Sequence, residues 1–153
     1  MIPLPELSPG AVVRLRRVFK ATPERVFQAW TEPEVLKKWW GPAGCRALSA
    51  EIELRVGGTY RIAMQFPGED IFYVKGVYQE IQSPTKLVFT WRWEKPEMDM
   101  GETLVTVEFY AQGSTTEVIL THQPIPSEVS HNYQQGWAEF FDKLAGELGE
   151  NLT

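Results

Sequence analysis

Residues 22–42 read TPERVFQAWTEPEVLKKWWGP and contain two helix starts and two helix stops in one aromatic-rich stretch. Thr22 is a suitable N-cap, and Pro23 fits the first helical position, where no backbone N–H is needed. Val26, Phe27 and Trp30 would then lie on one apolar face. Proline disfavours helical geometry in the residue before it, so Pro33 ends this first helix.

A second short helix follows directly. Thr31 and Glu34 have the spacing of a capping box, which predicts a helix start at Thr31. The apolar residues that this helix is expected to carry are Val35, Leu36, Trp39 and Trp40. Gly41 and Pro42 stop it, because neither residue continues a helix well.

Between residues 46 and 123 the apolar pattern changes to a period of two, which is typical of half-buried strands. The inward positions include Tyr60, Ile62, Met64, Phe66, Leu87, Phe89, Trp91, Trp93, Val105, Val107, Phe109, Val118, Leu120 and His122. Arg61, Arg92 and Glu108 fall on the opposite, polar face. Six strands here and one over residues 12–20 make seven. Because no helix separates the six, neighbouring strands are expected to pair antiparallel and in sequence order.

The chain is predicted to end in a long helix with Ser127 as its N-cap. Its apolar face is formed by Val129, Tyr133, Trp137, Phe140, Phe141, Leu144 and Leu148. Gly136 in the middle costs about 1 kcal/mol of helix propensity. Two explanations stay open: close packing on the sheet, or close approach of another backbone or a bound molecule.

Composition excludes several classes of function. With 153 residues and a net charge of −5, the chain has no basic surplus for nucleic acid or an anionic membrane. Its one cysteine, Cys45, excludes an internal disulfide and a cysteine-based zinc site. We expect no cofactor or metal, a cytoplasmic location, a flexible arm over residues 1–10 and one domain over residues 11–150.

The order of elements and several motifs resemble one superfamily over nearly the whole chain. The motifs are RVFKATPERVFQAWTEPEVLKKWWGP, ELRVGGTYRIAM, GVYQEIQSPTKLVFTW, ETLVTVEF and GWAEFFDKLAGEL. They resemble the START-like (SRPBCC, helix-grip) superfamily, which includes Bet v-type allergens and polyketide cyclases. Within it, the chain is similar to the branch of the activator of the heat-shock chaperone ATPase. The resemblance implies an α+β fold in which a curved seven-stranded antiparallel sheet grips the long C-terminal helix.

The resemblance also implies a cavity between sheet and helix, but members of the superfamily differ in activity. We predict that the cavity binds a small apolar or aromatic molecule. The residues predicted to bind it are Trp40, Tyr60, Ile62, Met64, Phe89, Trp91, Trp93, Val107, Leu120, His122, Tyr133, Trp137 and Phe141. The largest pocket is expected here and not on the polar outer face. Whether the tryptophans leave the cavity open or fill it stays undecided, as does a monomeric or homodimeric state.

Two other functions remain as alternatives. One is a chaperone-interacting module with a role in the stress response, as the resemblance suggests. The other is a cyclase- or hydrolase-type enzyme, which needs titratable groups that converge in the cavity. The alternation of inward and outward positions leaves four polar groups able to reach the interior: His122, Tyr60, Tyr78 and Tyr133. His122 is the best candidate among them. No catalytic residue is assigned, because spacing alone identifies no carboxylate partner for this histidine.

Overall fold

The computed structural model describes residues 10–149, so nearly all of the predicted N-terminal arm lies outside the described residues. Strand β1 (Ala11–Phe19) is followed by helices α1 (Pro23–Thr31) and α2 (Pro33–Leu36). Six strands follow: β2 (Arg46–Ile52), β3 (Thr59–Gln65), β4 (Phe72–Gln82), β5 (Lys86–Trp93), β6 (Thr103–Gln112) and β7 (Thr115–Ile125). Helix α3 (Ser130–Glu147) comes last, and short 3-10 turns span Pro96–Met98 and Ser127–Val129.

All seven strands form one antiparallel sheet in the order β1-β7-β6-β5-β4-β3-β2. Strands β2 to β7 pair in sequence order, and β1 adds to β7 at the far edge. The predicted α+β helix-grip fold is therefore confirmed, including the two short helices after the first strand. Within residues 10–149, no helix is long and apolar enough to cross a membrane.

The predicted N-cap of α1 is confirmed, whereas the predicted start of α2 is wrong. Thr22 caps α1 as expected, since its side chain accepts a hydrogen bond from the Arg25 N–H. The capping box at Thr31 is wrong, because this hydroxyl instead donates to the Phe27 carbonyl oxygen at 3.0 Å, inside α1. Glu32 takes the N-cap position of α2 without a side-chain bond.

The later boundaries also differ from the prediction. Helix α2 ends at Leu36 rather than at Trp40, and a turn carries the chain through residues 37–39. The Trp39 indole N–H donates to the Ala29 carbonyl oxygen at 2.9 Å and so fastens this turn to α1. Ser127 does not cap α3, because it begins a 3-10 turn and the helix starts three residues later.

The predicted strand parity holds at most positions, although Glu108 on the polar face is half-buried. Tyr60, Ile62 and Met64 are buried, whereas Arg61 and Arg92 are exposed. Trp137 and Phe141 of α3 are buried against the inner face of the sheet, as predicted. The core is rich in aromatic rings from α1, the turn after α2, β5 and α3. Its largest fully buried side chains include Trp30, Trp39, Trp40, Trp91 and Phe141.

Candidate functional site

A cavity of about 370 Å³ lies between α3 and the end of the sheet formed by β3, β4 and β5. Its lining residues are Pro42, Met64, Phe66, Phe72, Trp91, Trp93, Met98, Asn132, Tyr133, Gln135, Gly136, Trp137, Glu139 and Phe140. Apolar and aromatic side chains form most of the wall. The polar residues come mainly from α3, and Glu139 is the one charged lining residue among residues 10–149. Such a size and composition are typical of sites for small apolar molecules.

Five predicted site residues line this cavity: Met64, Trp91, Trp93, Tyr133 and Trp137. Four others, Trp40, Tyr60, Ile62 and Phe89, surround a separate void of about 10 Å³, which is the size of one water molecule. The remaining four, Val107, Leu120, His122 and Phe141, are buried in the core and line neither space. The predicted cavity is therefore displaced toward one end of the helix.

Packed indole rings cause this displacement. The Trp40 ring lies 5.9 Å from Trp91 and 6.2 Å from Trp137, measured between centroids. Trp30 contacts the same group, with its centroid 6.2 Å from that of Trp40. These rings fill the middle of the space under α3 and separate the small void from the larger cavity. The predicted cavity is therefore open at the end lined by Met64, Trp93 and Tyr133 and filled at the end lined by Tyr60 and Phe89.

Sequence reasoning missed nine lining residues: Pro42, Phe66, Phe72, Met98, Asn132, Gln135, Gly136, Glu139 and Phe140. The apolar periodicity predicts that Phe66 lies on the inner face of the sheet and Phe140 on the apolar face of α3, so the sequence carries a signal for both. Met98 gives no such signal, because it belongs to a 3-10 turn in the β5–β6 connection that folds over the cavity.

His122 is completely buried behind the cavity wall in a chain of hydrogen bonds. The Trp137 indole N–H donates to His122 Nδ1 at 3.1 Å, so this nitrogen carries no proton. The proton of the neutral ring is therefore on Nε2, which donates to Thr103 Oγ1 at 2.7 Å. The Thr103 hydroxyl donates onward to the Trp91 carbonyl oxygen at 2.9 Å. Both ring nitrogens are thus occupied, in a single tautomer.

This environment corrects the interpretation of His122 as the best interior group for chemistry. Burial lowers the pKa of His122 to about 3, because the charged imidazolium would lose its hydration. Tyr133 lies close, with 5.6 Å between ring centroids, but the histidine presents no free nitrogen to the cavity. A convergent acid and base is therefore not formed by this pair. The geometry indicates that His122 positions Trp91 and Trp137.

Tyr60 and Tyr78, the other polar candidates, do not line the 370 Å³ cavity under α3. The Tyr60 hydroxyl crosses over Gly76 and donates to the Thr90 carbonyl oxygen at 2.6 Å. A Cβ atom at Gly76 would lie 2.6 Å from the Tyr60 ring, so the glycine provides room for this crossing. Burial raises the pKa of both tyrosine hydroxyls, which keeps them neutral.

The segment that closes one side of the cavity is held to α3 by two charged side chains. Glu139 Oε1 accepts the backbone N–H of Ala43 at 3.0 Å. Lys143 Nζ donates to the carbonyl oxygens of Trp40 and Cys45 at 3.3 and 2.8 Å. Partial burial lowers the pKa of this lysine. The pair fixes the backbone that carries Trp40 and Pro42.

The expectation that the largest pocket lies under the helix is wrong by volume. A depression of about 690 Å³ lies on the outer face of the sheet, lined by residues that include Arg61, Lys75 and Arg92. Strand parity is nevertheless correct for Arg61 and Arg92, because both side chains are exposed as predicted. Both guanidinium groups are held in ion pairs, Arg61 with Glu94 and Arg92 with Asp99. The outer depression is therefore polar, and both of its arginines are already paired.

An antiparallel sheet packed on a long C-terminal helix, with an apolar cavity between them, defines a helix-grip protein of the START-like class. The chain belongs to the family described as "Activator of Hsp90 ATPase homolog 1-like protein", which matches residues 20–149. The predicted branch of the superfamily is therefore confirmed. A comparison with curated proteins gives no match.

Solved structures of bacterial proteins share this fold. Protein CV1439 from Chromobacterium violaceum is 28% identical, with a TM-score of 0.81 over 92% of this chain and 98% of that chain. The SPO3351 protein from Silicibacter pomeroyi is 27% identical, with a TM-score of 0.79 over 92% and 99%. A protein from Arthrobacter aurescens, at 22% identity and a TM-score of 0.82 over 93% and 88%, is similar in fold.

Proposed function

We propose that this protein binds a small apolar or aromatic molecule in the 370 Å³ cavity between α3 and strands β3 to β5. The proposal is supported by a wall of apolar side chains with a few polar groups at one side, the usual composition of small-molecule sites. It is also supported by membership in a fold family whose members commonly bind hydrophobic ligands. The ligand-binding residues that we propose are those that line this cavity.

The observation that carries the proposal is Gly136. This residue lies in the middle of α3, where glycine costs about 1 kcal/mol relative to alanine. A Cβ atom at this position would have no heavy atom within 4 Å, so close packing on the sheet does not explain it. Gly136 lines the cavity. Open space lies beside the helix at this position, and we infer that the glycine keeps this space available to a ligand.

The first prediction follows from this geometry. Gly136→Ala should raise the free energy of unfolding by about 0.8 to 1.0 kcal/mol, because alanine favours the helix and meets no clash. Gly136→Leu should keep the fold but occupy the cavity, and so weaken binding of the neutral fluorescent probe N-phenyl-1-naphthylamine by about tenfold or more, a loss of roughly 1.4 kcal/mol. Urea unfolding and probe titration measure the two effects.

Gly146→Leu is the matched control, because Gly146 is on the same helix but exposed and away from the cavity. Its probe affinity should equal that of the wild type. Equal affinities for wild type and Gly136→Leu would place the probe elsewhere and contradict the proposal. If the wild type bound no apolar probe but changed the ATPase rate of a heat-shock chaperone, the interaction-module alternative would replace it.

A further inference from the structure

The Tyr133 hydroxyl group in the cavity wall accepts a hydrogen bond but donates none within the described residues. The Trp93 indole N–H donates to the Tyr133 hydroxyl oxygen at 2.7 Å. An indole N–H can only donate, so the tyrosine oxygen is the acceptor in this bond. The hydroxyl proton of Tyr133 has no acceptor among residues 10–149. Both residues line the cavity, which places an available O–H donor at its wall.

The one charged acceptor of the cavity among residues 10–149, in contrast, is already engaged. Glu139 accepts the Ala43 N–H with one carboxylate oxygen and the Gln135 side-chain amide with the other. The indole N–H of Trp91, another lining residue, also has no hydrogen-bond partner among the described residues, although this nitrogen is itself buried. Buried donors in proteins normally have partners. The inner wall therefore presents the Tyr133 hydroxyl proton without a bound acceptor, whereas the amide oxygens of Asn132 and Gln135 belong to exposed side chains of α3.

Charge restricts the ligand further. No lysine, arginine or histidine in the described part of the chain lines the cavity, and its one charged side chain, Glu139, is acidic. An anionic ligand would lose its hydration without gaining a cationic partner, which is unfavourable.

We propose, on the basis of the proposed function, that the cavity selects uncharged apolar molecules that carry a carbonyl-type oxygen. Tyr133 is the specificity-determining residue, and it donates its hydroxyl proton to this oxygen. Trp93 is a positioning residue, because its N–H occupies a lone pair of the tyrosine oxygen and restricts the directions open to the hydroxyl. The aromatic wall around them holds the apolar remainder of the ligand.

Two probes of nearly equal shape test this inference: 2-acetylnaphthalene, a ketone, and 2-isopropenylnaphthalene, in which a CH₂ group replaces the oxygen. Their affinities can be measured by displacement of N-phenyl-1-naphthylamine. Tyr133→Phe should weaken ketone binding about five- to tenfold, as expected for one hydrogen bond, and change alkene binding less than about twofold. The double variant Trp93→Phe/Tyr133→Phe should show the same loss, which excludes rescue by the Trp93 N–H.

Tyr110→Phe is the matched control, because Tyr110 is exposed on β6 and bonded to Glu108. It should leave both affinities unchanged. The anion 2-naphthoate should bind at least about tenfold more weakly than the ketone, since no cation lines the cavity. Equal weakening of both neutral probes by Tyr133→Phe, no weakening at all, or tighter binding of 2-naphthoate would overturn the inference while leaving the binding function standing. Failure of the alkene to bind the wild type would overturn both.

Discussion

Trp137→Ala is expected to be strongly destabilised. The Trp137 ring is buried, with centroids 4.5 Å from Phe140 and 5.1 Å from Trp91. Truncation of a buried tryptophan typically costs about 3 to 5 kcal/mol. The variant would also remove the donor to His122 Nδ1. Because domains of this size are stable by only about 5 to 15 kcal/mol, urea unfolding followed by circular dichroism should show a large shift of the midpoint.

Trp137→Phe is the intermediate variant. It keeps a six-membered aromatic ring but removes the indole N–H and part of the ring surface, so its loss of stability should be clearly smaller than that of the alanine variant. A Trp137→Ala protein that unfolds within about 1 kcal/mol of the wild type would contradict the packing of α3 on the sheet.

His122 is expected to make the protein sensitive to acid. In the folded state its pKa is about 3, whereas the unfolded chain regains the ordinary value of 6.5. As pH falls below 6.5, the unfolded state binds a proton that the folded state does not. The stability contribution of the neutral ring is therefore present above 6.5 and is lost progressively toward pH 3. Between pH 6.5 and 4.5 the loss should be roughly 2 kcal/mol, because the slope is half of about 1.36 kcal/mol per unit at pH 6.5 and approaches the full value below it.

His122→Gln removes this titration, so its free energy of unfolding should depend less on pH across the same window, even though its stability at pH 7 is lower. His131→Gln is the matched control, because His131 is exposed on α3 and should leave the wild-type dependence unchanged. Glu94 and Asp99 have lowered pKa values beside Arg61 and Arg92, so their effects fall mainly below pH 4.5 and remain in all variants. Parallel pH profiles for wild type and His122→Gln would contradict the buried neutral ring.

The fold was predictable because its signals are local and repeat along the chain. Alternation along the strands gives the buried and exposed faces, and the absence of intervening helices between β2 and β7 gives the antiparallel order. The errors occurred at helix ends. Thr31 could serve as a cap or bond backward within α1, and the sequence does not distinguish these two uses of one hydroxyl.

The site was harder to predict, because a cavity depends on which large side chains meet. Periodicity places Trp40, Trp91 and Trp137 on inward faces, but it does not show that their rings pack together and close the middle of the predicted cavity. His122 likewise reads as an inward polar residue. Only the positions of Trp137 and Thr103 reveal that both of its nitrogens are engaged. The sequence shows that Gly136 interrupts the last helix pattern, but only the structure shows the open space beside this residue.

The most direct test of an open, ligand-binding cavity is native mass spectrometry of the protein purified from its own host without denaturation. We expect the wild type to carry an additional non-covalent mass that dissociates on collisional activation. The Gly136→Leu protein, isolated in the same way, should have only the mass of its chain. An identical spectrum of unliganded chain from both proteins, or the same bound mass in both, would contradict the claim that this cavity holds the ligand.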